Sequence, residues 1–148
     1  VDINATSVGA VMKPAGLDAA KGVISVNYGK DPLDPTWKDD AGMKRYLDFM
    51  AKYYPDGDKD SNFNTYGYGT AQLLAHVLQQ CGDNLTRENV MKQAANLKNV
   101  DLPLLLPGIK VNTSPTDFYP LQSVQLQKFE GETWKLFGNV LSNEAASN

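Results

Sequence analysis

The alternation of apolar and polar positions changes period several times along the chain, and each change marks an element. Residues 22–28, GVISVNY, are a short run rich in β-branched residues, with Gly22 before it and turn residues after it, which predicts a buried strand. GKDPLDPTWKDD follows, with prolines at 32 and 35 that fix φ and restrict the residues before them. That segment reads as an extended, semi-rigid hinge or crossover. From about residue 39 to 54 the period becomes helical. Met43, Tyr46, Leu47, Met50, Tyr53 and Tyr54 make one apolar stripe, Asp39 and Asp40 suit the positive end of a helix dipole, and Pro55 stops the run.

A second helix is predicted over roughly 69–81, stopped by Gly82-Asp83-Asn84. A third begins at the N-cap Thr86, with Leu85 and Val90 placed as a hydrophobic staple, and continues through Met91, Ala94 and Leu97. Beyond Asp101 the helical period is lost. Pro103 and Pro107 break helix, residues 109–112 read as a short strand, and Ser114-Pro115-Thr116-Asp117 as a turn. LQSVQLQKF at 121–129 alternates, with Val124 and Leu126 on one face and Gln125 and Gln127 on the other. A turn at Glu130-Gly131 then leads into ETWKLFGNVL, which predicts a β-hairpin, and the small polar residues 142–148 predict a frayed tail.

Strand, connector, three helices and more strands make an α/β class. One parallel-type strand is too few for a self-contained doubly wound sheet, and the helices present more apolar face than that sheet can cover. The imbalance predicts a missing partner.

Composition narrows the function classes. An apolar content of 42% with 21% charged residues describes a folded globule. A net charge of −3 and the lack of an arginine-rich run argue against a nucleic-acid partner. TYGYG at 65–69 resembles the filter of a potassium channel, but the longest apolar runs, such as Leu104-Leu105-Leu106, fall far short of the ~20 residues of a membrane span. The filter reading fails on that ground. Cys81 is the single cysteine, so no intrachain disulfide is expected. The chain begins at Val1 with no leader, which suggests a processed or cut piece. The three N-x-[ST] triplets are short enough to be chance and carry no weight.

No catalytic constellation emerges. His76 and Cys81 are each unique, and five residues apart on one helix they point roughly 140° from each other. A buried structural cysteine and a helix-surface histidine are expected. Asp56, Asp58, Asp60, Asn62 and Asn64 imitate a calcium loop, but the glycine position holds Ser61 and the bidentate glutamate position holds Gly67. An exposed acidic loop without metal is the expectation, and no cofactor is implied. At 66–69, two readings stand open. Tyr66 and Tyr68 either pack beneath the helix, or Gly67 and Gly69 loosen Tyr68 at a helix N-terminus whose free N–H groups receive a polar or anionic ligand.

Three stretches carry a family resemblance. GVISVNYGKDPLDPTWKDD, YGYGTAQLLAHVLQQCGDNLTRENVMKQAANLK and LPGIKVNTSPTDFYPLQSVQLQKFEGETWKLFG resemble, in order, the C-terminal part of a solute-binding protein of ABC importers. The family is the branched-chain-amino-acid type with a type I periplasmic-binding fold, and the likeness is strongest to members associated with aromatic acids. The resemblance implies helices flanking a mostly parallel sheet and a terminal hairpin, within two lobes joined by three crossing strands. On that map 1–28 is a second-lobe segment, 29–38 the hinge connector, 39–108 a first-lobe helical segment and 109–141 the terminal crossing strands and hairpin. Tyr68 falls where the family places a ligand-facing tyrosine, with Tyr66 beside it. Asn4 falls near the position of a glutamate that pairs with an amino-acid ligand's ammonium, with Ala5, Thr6 and Ser7 as further candidate contacts.

A carboxamide at position 4 lacks the charge for an ammonium, so an aromatic carboxylate is favoured over a branched-chain amino acid. The implied partners are a small organic ligand, an ABC permease, and a missing N-terminal portion of the same protein or a second copy, with no nucleic acid. The implied location is periplasmic or extracytoplasmic, lipid-anchored in some hosts. The same fold also serves sensing domains of receptors and regulators; genes for a permease and two ATPases nearby would favour the importer.

Overall fold

The computed structural model describes residues 6–142. Its first elements precede anything the periodicity predicted. Ser7 caps a π-helical turn, Val8–Met12, by accepting from the Ala10 N–H at 3.2 Å. Two short helices follow, α1 Lys13–Ala15 and α2 Leu17–Ala20, separated at Gly16, whose φ of 89° lies in the region that favours glycine. Val8, Met12 and Ala20 from this winding segment pack with Phe129 and Trp134 of the terminal hairpin.

The strand β1, Ile24–Asn27, forms where the β-rich run predicted it. It pairs antiparallel with β2, Ser123–Phe129, placing Ile24 opposite Lys128 and Asn27 opposite Gln125. Strand β2 pairs in turn with β3, Trp134–Ser142, across the expected turn at Glu130-Gly131, so the sheet order is β1-β2-β3. Gly131 takes φ 103°, as a tight reversal requires. Strand β3 has extra residues opposite Gln125, and Gly138 with φ 68° makes that kink. Ser142, expected in the tail, belongs to β3; residues 143–148 lie outside the described residues. The α/β class stands, although every strand pairing among the described residues is antiparallel.

The proline connector is bonded more tightly than its sequence indicates. Asp31 accepts from Val8 N–H at 2.7 Å and Leu33 N–H at 2.9 Å; Asp34 accepts from Thr36 N–H at 2.9 Å and Trp134 N–H at 3.1 Å. Burial raises the Asp31 pKa above the ordinary carboxylate value, and the two N–H bonds only partly offset this. A 3-10 turn, Pro35–Trp37, sits inside the connector, which was expected to hold no element.

Helix α3 spans Ala41–Tyr53, with Asp40 as its N-cap at Met43 N–H. Met43, Tyr46 and Met50 face a core shared with Leu104, while Tyr53 and Tyr54 stay exposed, so the predicted stripe buries only its first part. Lys30 anchors the helix start, donating to Asp40 at 2.8 Å and to the Pro103 carbonyl at 2.9 Å. Gly42 is required there: a Cβ on it would lie 2.4 Å from the Pro103 oxygen.

Helix α4 runs Asn62–Cys81, seven residues earlier than the glycine-rich stretch suggested. Helix α5, Arg87–Ala94, starts at the predicted cap, where Thr86 accepts from Asn89 N–H, but ends three residues before Leu97. Thr113 finishes it by donating to the Ala94 carbonyl at 2.7 Å and accepting from Leu97 N–H at 2.9 Å. These helices share a core of Val77, Cys81, Leu97, Val100 and Val111. The strand expected at 109–112 is reduced to one antiparallel bridge, Val100 to Val111. The Asn112 N–H turns away to Pro120, which ends the ladder after a single pair.

Candidate functional site

The early start of α4 changes the meaning of Tyr66-Gly67-Tyr68-Gly69. Ser61 caps the helix through Phe63 N–H at 3.3 Å, and Thr65 and Thr70 donate to the carbonyls of Asn62 and Tyr66. The free N–H groups of the helix therefore lie at its first residues, ahead of Tyr66. The expectation that this stretch receives an anion at a helix mouth is overturned. Neither Gly67 nor Gly69 has positive φ, and a Cβ at either would meet nothing within 4 Å.

Tyr68 is half-buried in an aromatic group joining α3 and α4. Its ring centroid lies 5.4 Å from that of Tyr46, edge-on, and 5.1 Å from Phe49, which is itself 5.0 Å from Tyr53. Packing and an open edge coexist here. Tyr66 is 61% exposed, on a different side of the helix. Tyr28, just after β1, comes near it: burial first, and then Tyr66, push the Tyr28 phenol up. Sequence reasoning missed Tyr28 because nothing local links position 28 with position 66.

The acidic stretch 56–64 lies against the same group. Tyr46 donates to the Lys59 carbonyl at 2.9 Å, and burial, then the charges of Asp58 and Asp60, push its phenol up to about 12. The side chains of this stretch fold onto their own backbone. Asp58 accepts from Asp60 N–H at 3.1 Å, and the Asn64 amide donates to the Asp58 carbonyl at 2.7 Å. Among the described residues no group of three or more His, Cys, Asp or Glu is arranged to hold a metal ion.

The other predicted contacts lie elsewhere. Thr6 is buried, donating to the Ser25 hydroxyl at 3.1 Å, while its carbonyl accepts from the Trp134 indole at 3.1 Å. Ser7 is occupied as a cap. Asn4 and Ala5 lie outside the described residues. Among the described residues no hydrogen bond or ring contact joins Thr6 or Ser7 to Tyr66 or Tyr68. Cys81 is buried as expected, whereas the His76 imidazole is partly buried and its Nε2 is shut off from solvent. No helix among the described residues is long and apolar enough to cross a membrane.

A family model described as "Periplasmic binding protein" matches residues 2–132, most of the chain. The chain belongs to the periplasmic binding protein family. A solved structure with the same fold is the branched chain amino acid ABC transporter from Thermus thermophilus with bound valine. It superposes with a TM-score of 0.70 at 16% identity, over 90% of this chain and 36% of that one. This periplasmic binding protein chain thus spans about a third of that relative's length. No curated protein matches it. The family is one of binding proteins and not of enzymes.

Proposed function

We propose that the chain is part of the extracytoplasmic receptor of an ABC importer. It would supply one portion of a cleft that closes on a small organic ligand without chemistry and delivers it to a membrane permease. The observation that carries this reading is the family match over residues 2–132. In the proposed map, 1–28 belongs to the second lobe, 29–38 is the connector, 39–108 covers the first lobe and 109–141 forms the terminal crossings. The remaining cleft comes from the rest of the receptor or from a second copy.

The ligand we favour is an aromatic carboxylate. The open edge of Tyr68 offers flat apolar surface with a hydroxyl at its rim, and on another side of α4 the exposed Tyr66 ring and Tyr28 present two further phenols. Asn4 supplies a carboxamide in place of a charge that an α-amino group would need. Calorimetry and thermal shift on the intact receptor, against aromatic acids and branched-chain amino acids, test the assignment. Stabilisation by aromatic acids, lost in Tyr68→Ala, is expected. No response to either class would remove the ligand assignment, and micromolar binding by residues 1–148 alone would contradict the shared cleft.

A further inference from the structure

A recess lies beside α4, with His76 about 12 Å along the helix from Tyr68 at 1.5 Å per residue. It has a volume of about 290 Å³ and is walled by Gln72, Ala75, His76 and Gln79 of α4 and by 100–103 of the loop after α5. Gln72 Oε1 and His76 Nε2 are both shut off from solvent and have no hydrogen-bond partner. Polar atoms closed off from water are ordinarily paired, so two orphans one helical turn apart are an unusual feature. At that spacing their Cβ atoms stand roughly 5–6 Å apart on one face of the helix.

We propose that this recess binds a neutral amide group once the Gln72 and His76 side chains turn outward into it, with the amide N–H donating to Gln72 Oε1 and its carbonyl accepting from His76 Nε2–H. The carboxamide oxygen is an acceptor only, whereas an imidazole nitrogen serves in either sense, so the pair suits a ligand presenting a donor and an acceptor side by side. A carboxylate would place its charge against Gln72 Oε1 and near Asp101. A cation would find Asp101 already engaged by Lys110. The remaining walls, Ala75, Val100, Leu102 and Pro103, are apolar and penalise either charge. The inference does not rest on the importer reading.

His76 is the only histidine in the sequence, so its ring protons give an unambiguous NMR signal. The chain is titrated separately with N-methylacetamide, acetate and methylammonium while those signals are followed. Saturable shifts with N-methylacetamide are expected, with at least about tenfold weaker response to the two ions. Gln72→Met, close in shape but without the acceptor, should weaken the amide response about tenfold while leaving the fold intact by circular dichroism. If that variant fails to fold, Gln72→Ala replaces it, with the same loss expected because the acceptor is again removed. No His76 shift with the amide, an equal response to either ion, or an undiminished response in a folded position-72 variant would each overturn the proposal.

Discussion

The corner where the N-terminal turn meets the terminal hairpin and the aromatic group between α3 and α4 are held together in opposite ways. In the corner, Thr6, Asp31 and Asp34 are buried and their polar atoms are spent on Val8, Ser25, Leu33, Thr36 and Trp134. In the aromatic group, Phe49, Tyr53 and Tyr68 touch through ring faces and edges around the fully buried Tyr46, and the rings of Phe49 and Tyr53 stay largely open. Directional bonds fix one geometry, whereas ring contacts tolerate sliding and repacking. The corner is built as a frame; the aromatic surface keeps its side chains available.

Breaking the frame should cost most. Asp34→Ala orphans the buried N–H of Trp134 and the N–H of Thr36, and should destabilise by about 3 kcal/mol in chemical denaturation. Phe49→Ala, on the open surface, should cost about half as much. Equal losses at the two sites would erase the distinction. Next in size is Gly42→Ala, whose added carbon overlaps the Pro103 carbonyl; about 2 kcal/mol is expected from the same measurement.

A pH titration of stability sharpens the comparison. Burial would raise the Asp40 pKa, but Lys30 and the Met43 and Gly42 N–H groups outweigh it and hold it below the ordinary value of 3.8. Its contribution is therefore present above 3.8 and is lost as the pH falls through the depressed value. Lys30→Met should flatten that acid limb, and an unchanged slope would exclude the ion pair as its cause. Tyr46 works at the other end. Its phenol is raised from 10.0 to about 12, so its stabilisation is complete below 10 and is lost as the pH climbs towards 12. The smallest expected effect has the opposite sign. Gly67→Ala and Gly69→Ala each add a Cβ into open space in mid-helix and should stabilise by about 0.5–1 kcal/mol. A loss at either position would mean that α4 does not extend back to residue 62 in solution.

Local chemistry was legible wherever it acts over a few residues. The Thr86 cap, the β1 run, the 114–117 turn and the hairpin reversal at Gly131 all depend on near neighbours, and each formed as the sequence indicated. The start of α4 was hidden because two glycines next to tyrosines look like a loop. Its first turns hold through the Ser61 cap and through Tyr68 packing on a separate helix. The burial of Gln127, only 2% exposed, was equally hidden. Alternation along β2 separates the two faces but does not say which one the N-terminal turn will cover. At the candidate site, Tyr66 and Tyr68 were nameable from sequence, while the approach of Tyr28 depends on where β1 ends relative to α4.

The bonds of the corner also bear on the order in which the fold forms. Trp134 reaches Asp34 across 100 residues of chain and Thr6 across 128. Contacts of such separation close the largest loops and are disfavoured until the intervening helices have shortened the distance. During synthesis the connector carboxylates must wait for the hairpin, the last part of the described chain to emerge. This directionally bonded corner is then the last to be completed, and in a Trp37→Phe variant, whose fluorescence reports Trp134 alone, refolding of that signal should trail the formation of helix.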